Sequence, residues 1–294
     1  MKKVYKNQQG EAAMLELYDR QLKALGAAYD DLFAETRFGK AHVVRLGDPG
    51  GKPLLLFHGG NSTTPYYLSG FKALFEHFRI YAVDTAGHPG KSSRTVVSHK
   101  SMEYGEWASD VITGLGFQKM SCVGGSYGGG ILVKLMCVDP GKIEKAVLIV
   151  PSGISNVSAF SVLIKMGIPM IAYILSKNEK RLKKAILPMA VDEKNIDAGT
   201  YEMAEHSFKY AAVKAGMPSN AKIREFKEFT APVLLIAAEL DCLFPGEKVI
   251  EKAKKMIPNL TAYLLKGQGH LCSLPAEVMD MVKSFLEEAP ENLT

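Results

Sequence analysis

The sequence predicts an α/β fold: a mostly parallel sheet with helices on both faces and a helical cap inserted between two late strands. Three observations carry this reading. Short, continuously apolar runs such as "KPLLLF" and "PVLLIAA" have the composition of strands buried on both faces. Helical patterns separate them, as where Tyr104, Trp107, Val111 and Leu115 follow one another at three- and four-residue spacing. From Gly153 to Phe229 the alternation stops, and only helix-like segments remain.

In chain order, residues 11–25 read as a helix and the rest of the first forty as irregular, with no role assigned. Strands are expected at "HVVRL", "KPLLLFHG", "RIYAVD", "KMSCVGG", "KAVLIV", "PVLLIAA" and "TAYLLK". Helices are expected over about 101–115, directly after Ser126, near Pro245 and over about 275–286. The core is therefore expected to comprise 1–152 and 230–294, with 153–229 as a cap or lid. In the cap, "FSVLIKMGIPMIAYIL" is apolar around most of its circumference and is expected to roof an apolar pocket, to form cap core, or both. For the basic residues that follow (Lys177, Lys180, Arg181, Lys183 and Lys184), a solvated helix face is favoured over contact with anionic lipid.

Bulk properties exclude several classes. A chain of 294 residues that is 47% hydrophobic can bury a large core. The net charge of +5 comes with no nucleic-acid-binding motif, so no nucleic-acid partner is expected. Four cysteines make no disulfide framework and no metal spacing, which points to reduced thiols and a cytoplasmic protein. "MKKVYKNQQGEAAML" lacks an apolar h-region, and no apolar run approaches a membrane span, so stable membrane insertion is not expected. A homodimer stays open.

"SCVGGSYGGG" (121–130) resembles slack linker, yet apolar runs flank it. Its Gly124-Gly125-Ser126-Tyr127-Gly128 fits G-x-S-x-G between a strand and a helix. A nucleophile at the tip of such a turn sits in a strained backbone, and the residues two before and two after must be tiny. Gly124 and Gly128 answer that demand, whereas Gly125, Gly129 and Gly130 look less constrained. A serine needs a base, and the base an orienting acid. Asp241 and His270 follow the last two strand candidates, so all three side chains would meet at the edge where strand C-termini converge. Glu239, two residues before Asp241, is the weaker candidate acid. After "LLLFHGGNS", the N–H groups of Gly60 and Tyr127 could form an oxyanion hole, with Asn61 as a substitute donor.

With "HGG" at 58–60, "DTAGHPGKS" at 84–92, "GGSYGG" at 124–129, "AELDCLFP" at 238–245 and "GQGH" at 267–270, the chain resembles the α/β-hydrolase superfamily over roughly residues 42–288. The resemblance implies Ser126 as nucleophile, His270 as base, Asp241 as acid, and a cap between the sixth and seventh core strands. One loop departs from the family pattern: "DTAGHPGKS" is a residue longer than D-x-x-G-x-G-x-S. The implied activity is serine hydrolysis of carboxylic esters of a small molecule, with an apolar acyl or alcohol group and no cofactor. The serine argues against the aspartate-nucleophile chemistry of haloalkane dehalogenases and epoxide hydrolases. Lactone, thioester, amide or carbon–carbon bond hydrolysis, acyl transfer, and a non-enzymatic small-molecule receptor are the alternatives.

Other motifs attract blander readings. "GHPGKSS" is no phosphate loop, because Thr85 stands where its first glycine is required. His58 reads as a structural hydrogen-bonding residue and His88 as a surface residue or an entrance residue. His42, His77, His99 and His206 have no chemical context. Cys242 and Cys272, beside the expected acid and base, read as packing residues.

Overall fold

In the computed structural model the described residues are 3–212 and 216–288. The eight strands are β1 (Tyr29–Ala34), β2 (Ala41–Gly47), β3 (Lys52–Phe57), β4 (Phe78–Val83), β5 (Met120–Gly125), β6 (Ile143–Ile149), β7 (Val233–Ala238) and β8 (Leu260–Leu265). They form one sheet in the order β1-β2-β4-β3-β5-β6-β7-β8. β1 pairs antiparallel with β2, and β2 antiparallel with β4. Every other pairing is parallel.

Alternation along β3 shows why its run is apolar throughout. Leu55 and Phe57 join one core cluster with Trp107, Val111 and Ile131, which come from α3 (Glu103–Gly114) and α4 (Tyr127–Val138). Leu54 and Leu56 join the opposite cluster with Tyr18 and Leu22 of α1 (Gln8–Ala24), Leu68 of α2 (Thr64–Ser69), and Val278 and Val282 of α10 (Ala276–Glu287). Helices thus cover both faces, so strand side chains of either parity must be apolar.

The seven expected strands are present, and the first forty residues need a correction. They hold α1 and an eighth strand, β1, rather than a helix and irregular chain. β1 is an edge strand with five of its six residues exposed or half-exposed, so its sequence "YDDLFA" carries no continuous apolar signal.

Between β6 and β7 the described residues form helices and no strand. They are α5 (Ala159–Val162), a π-helical turn (Leu163–Gly167), α6 (Ile168–Ser176), α7 (Glu179–Ala190) and α8 (Ala198–Tyr210). An isolated antiparallel bridge joins Tyr5 to Ala211, and Val4, Met14 and Leu17 pack with Met203 of α8. The N-terminal segment is therefore the bed on which α8 lies. After β7 comes α9 (Gly246–Lys254), whose Val249 and Ala253 return to the first core cluster. Among the described residues no helix is long and apolar enough to cross a membrane.

Candidate active site

β5 ends at Gly125, α4 begins at Tyr127, and Ser126 alone makes the turn, with φ 51° and ψ −111°. Positive φ on a non-glycine residue costs about 1–3 kcal/mol and persists only where the surroundings over-determine it. Here they do. The Ser126 N–H donates to Ile149 O at 2.9 Å, and the Ser126 carbonyl accepts from Gly130 N–H, Ser152 N–H and the Ser152 hydroxyl at 3.0–3.1 Å. A Cβ on Gly124 would stand 2.6 Å from Gly128 O, and one on Gly128 only 2.1 Å from Phe57 O. The three glycines expected to be less constrained are also enclosed, chiefly by side chains rather than backbone. A Cβ at Gly125 would meet Tyr67 Oη at 2.5 Å, at Gly129 the Pro151 Cβ at 2.7 Å, and at Gly130 the Ser152 Oγ at 2.2 Å. Their demand is set by distant segments, which sequence spacing does not reveal.

Ser126 Oγ lies 2.8 Å from His270 Nε2, and His270 Nδ1 lies 2.8 Å from Asp241 Oδ2. A carboxylate at Nδ1 fixes the proton there, so Nε2 presents its lone pair to the serine hydroxyl. Asp241 is buried, and its other oxygen accepts the N–H groups of Leu243 at 2.7 Å and Phe244 at 3.0 Å. The Phe244 ring stands edge-on to the imidazole, 5.2 Å between centroids. The next residue, Leu271, donates its N–H to Met189 O at the end of α7, 2.9 Å away. Glu239 is turned elsewhere: it accepts Gly267 N–H at 2.8 Å and lies 3.3 Å from Lys266 Nζ. Those contacts hold its carboxyl below the usual range, the Gly267 N–H foremost.

The strand–loop junction after β3 closes the site from the other side. A Cβ on Gly60 would stand 3.2 Å from the Tyr127 ring, so the two residues lie against each other, and among the described residues no acceptor takes either N–H. Tyr127 is the first residue of α4, where N–H groups have no partner within the helix. Asn61 also adopts positive φ, 54°, and its carbonyl accepts the buried Ser207 hydroxyl from α8. The insertion is thus fastened to both catalytic-side loops, through Ser207 to Asn61 and through Met189 to Leu271.

Among the remaining histidines, His58 is buried, with Nδ1 2.7 Å from Gly59 O and Nε2 accepting Thr85 N–H at 3.0 Å. Burial pushes its pKa down, which suits a neutral structural ring. His88 corrects the favoured surface placement: it is buried edge-on against Tyr127, 4.6 Å between centroids. His42 also differs from expectation. It stands between Asp84 (Nδ1, 2.9 Å) and Asp31 (Nε2, 2.7 Å), and Asp84 further accepts Lys91 N–H and the Thr64 hydroxyl. Only strand register could have revealed this, because Asp84 directly follows the β2–β4 pair Val43–Val83. The cysteines are half-buried beside the site, and burial pushes Cys242 up to about 11 and Cys272 up to about 12. Thiols so poor in thiolate are packing groups.

Known proteins agree with the architecture. A family model described as the α/β hydrolase fold matches residues 52–173. The carboxylesterase YbfK of Bacillus subtilis is 27% identical over 278 residues, covering 92% of each chain. The crystal structure of carboxylesterase CesB (YbfK) from B. subtilis superposes with a TM-score of 0.78 at 24% identity, covering 95% of this chain and 98% of that one. The naproxen esterase (carboxylesterase NP) structure from B. subtilis gives 0.80 at 21% identity, covering 95% and 99%. With the sheet order, the elbow after β5 and these likenesses in place, the chain has the α/β-hydrolase fold.

Proposed function

We propose that the protein is a serine carboxylesterase whose nucleophile is Ser126, with His270 as base and Asp241 as the acid that orients it. One observation carries the reading: an unbroken line of contacts, 2.8 Å from Ser126 Oγ to His270 Nε2 and 2.8 Å from His270 Nδ1 to Asp241, stands on a strained elbow. Ser126 Oγ attacks the acyl carbon as its proton passes to Nε2. The Gly60 and Tyr127 N–H groups receive the carbonyl oxygen as it becomes an oxyanion, each donor worth about 3 kcal/mol. Asn61 is the less favoured donor, since its carbonyl is engaged by Ser207. The alkoxide leaves with the proton from His270. Water, deprotonated by the same imidazole, then hydrolyses the acyl-enzyme to the carboxylic acid and restores Ser126.

Ester chemistry draws support from the carboxylesterase relatives. Residues 153–229 act as the cap, and their Met, Leu and Ile content suits an apolar acyl or alcohol group. The four unbridged thiols support a reducing, cytoplasmic setting. Fluorophosphonate labelling of wild type and Ser126→Ala, followed by turnover of p-nitrophenyl esters of graded chain length, tests the reading. Labelling and turnover should both vanish in the variant; labelling that survives would remove Ser126 from the mechanism. Labelling of the wild type without ester turnover would redirect the same triad to lactones, thioesters, amides or carbon–carbon bonds.

A further inference from the structure

α5, the π-helical turn and α6 form one 18-residue helical stretch that the rest of the protein barely covers. Phe160, Leu163, Ile164, Ile168, Ile171 and Leu175 are 49–81% exposed, and Tyr173 is the buried residue of α6. Tyr173 packs on Leu182 and Ile186 of α7 and so pins one side of α6, leaving the opposite side apolar and open. An apolar surface of this extent on a folded chain marks a contact face.

Charge identifies what that face meets. Residues 159–184 contain six basic side chains (Lys165, Lys177, Lys180, Arg181, Lys183 and Lys184) and a single acid, Glu179. Their net charge of +5 equals that of the entire chain, so the remainder of the molecule is balanced. Among the described residues only Lys183 of the six is ion-paired, to Glu179 at 3.0 Å. A second copy of the chain seated face to face would oppose two such positive clusters. An anionic lipid surface accepts both halves of the feature at once, apolar side chains at the acyl boundary and cations among the phosphates. The stretch contains Lys165 and Pro169 and is too interrupted to span, so it would lie along the interface.

The face also adjoins the candidate site. Val157 N–H, just before α5, bonds to Leu243 O, two residues beyond Asp241, and Lys165 acts electrostatically on the neighbouring Cys242. We propose that the α5–α6 face of the insertion is a docking surface for an anionic lipid bilayer, entered only to the headgroup boundary, which brings the Ser126 edge of the sheet to the membrane. The docking half of the proposal stands without the ester chemistry.

Sedimentation of the full chain with vesicles of phosphatidylcholine alone, and with one-third phosphatidylglycerol, tests it. Wild type should bind the anionic vesicles, release as salt rises, and bind the neutral ones at least tenfold more weakly. Ile171→Glu with Leu175→Glu should abolish binding. Lys177→Gln, Lys180→Gln and Lys184→Gln together should weaken it about a hundredfold, at roughly fivefold per charge. Both sets should keep the far-UV circular dichroism and melting temperature of the wild type, which certifies their folding. Absence of wild-type binding, or binding that neither set changes, overturns the proposal. So does sedimentation velocity showing a dimer that Ile171→Glu breaks without any vesicle binding, since the face would then belong to a second copy. Vesicle binding by a protein that turns over no ester would reject the proposed function and leave the docking surface standing.

Discussion

His270 and His42 each hold a buried carboxylate at Nδ1, Asp241 at 2.8 Å and Asp84 at 2.9 Å. They part company at Nε2. His270 meets the hydroxyl of Ser126, whereas His42 meets a second carboxylate, Asp31. Burial alone would lower the pKa of His42, but the hydrogen bonds and charges of Asp84 and Asp31 outweigh it and hold the ring above its ordinary value. With a carboxylate at each ring nitrogen, His42 works as a clamp joining β1, β2 and the loop after β4. The difference teaches that a histidine–aspartate pair is not by itself a catalytic unit. What faces the second nitrogen decides whether the ring is a base or a fastener.

The largest test removes the proposed base. His270→Ala and Ser126→Ala should each lower kcat/KM for a p-nitrophenyl ester by about 10⁴-fold or more, and the double variant should be scarcely worse, because the residues act as a unit. Asp241→Asn should keep the geometry yet cost about 10⁴ in kcat, since the amide favours the wrong tautomer. The matching change at the other pair, Asp84→Asn, should leave kcat of the folded protein nearly untouched. Its effect should appear in urea denaturation as a loss of about 3 kcal/mol, the lower end of the cost of breaking a buried pair, because Asp31 stays on the other ring nitrogen.

A smaller effect separates the two rings by pH. Because the folded state raises the His42 pKa above its unfolded value of about 6.5, the stabilisation is complete below that pH and fades as pH climbs through the folded value. Asp84 and Asp31 work against burial to set that value, and the Tyr18 ring stands edge-on to the imidazole, 6.3 Å between centroids. The melting-temperature gap between wild type and His42→Gln should therefore be widest near pH 6 and narrow toward pH 9; a gap independent of pH would refute a charged His42. The smallest change is Asp31→Asn. The Asp31 side chain is 44% exposed, so solvent screens it and the loss of stability should stay under about 1 kcal/mol.

The same contrast explains what the sequence disclosed. β7, and β3 from Leu54 to Phe57, are legible because both faces are buried there, so every such position is apolar. β1 is not, since Asp30 and Asp31 sit on an exposed edge and serve as ion-pair partners rather than core. Ser126, Asp241 and His270 could be placed together because each follows a strand end and the sheet gathers those ends. His42 could not, because its partners come from a neighbouring strand and from the loop beyond another, and only register brings them close. Tyr67, which encloses Gly125, and Pro151, which encloses Gly129, were invisible for the same reason.

The hydrogen bond from Leu271 N–H to Met189 O joins main chain to main chain. Such a fastening is indifferent to side-chain identity, so it survives substitution at nearly any position of α7. Half-buried side chains there, such as Met189 itself, can drift while the loop carrying His270 keeps its anchor. For protein engineering, and for natural divergence, the proposed function would then separate two properties that often constrain each other: substrate preference, rewritten in the insertion, and the register of the His270 imidazole.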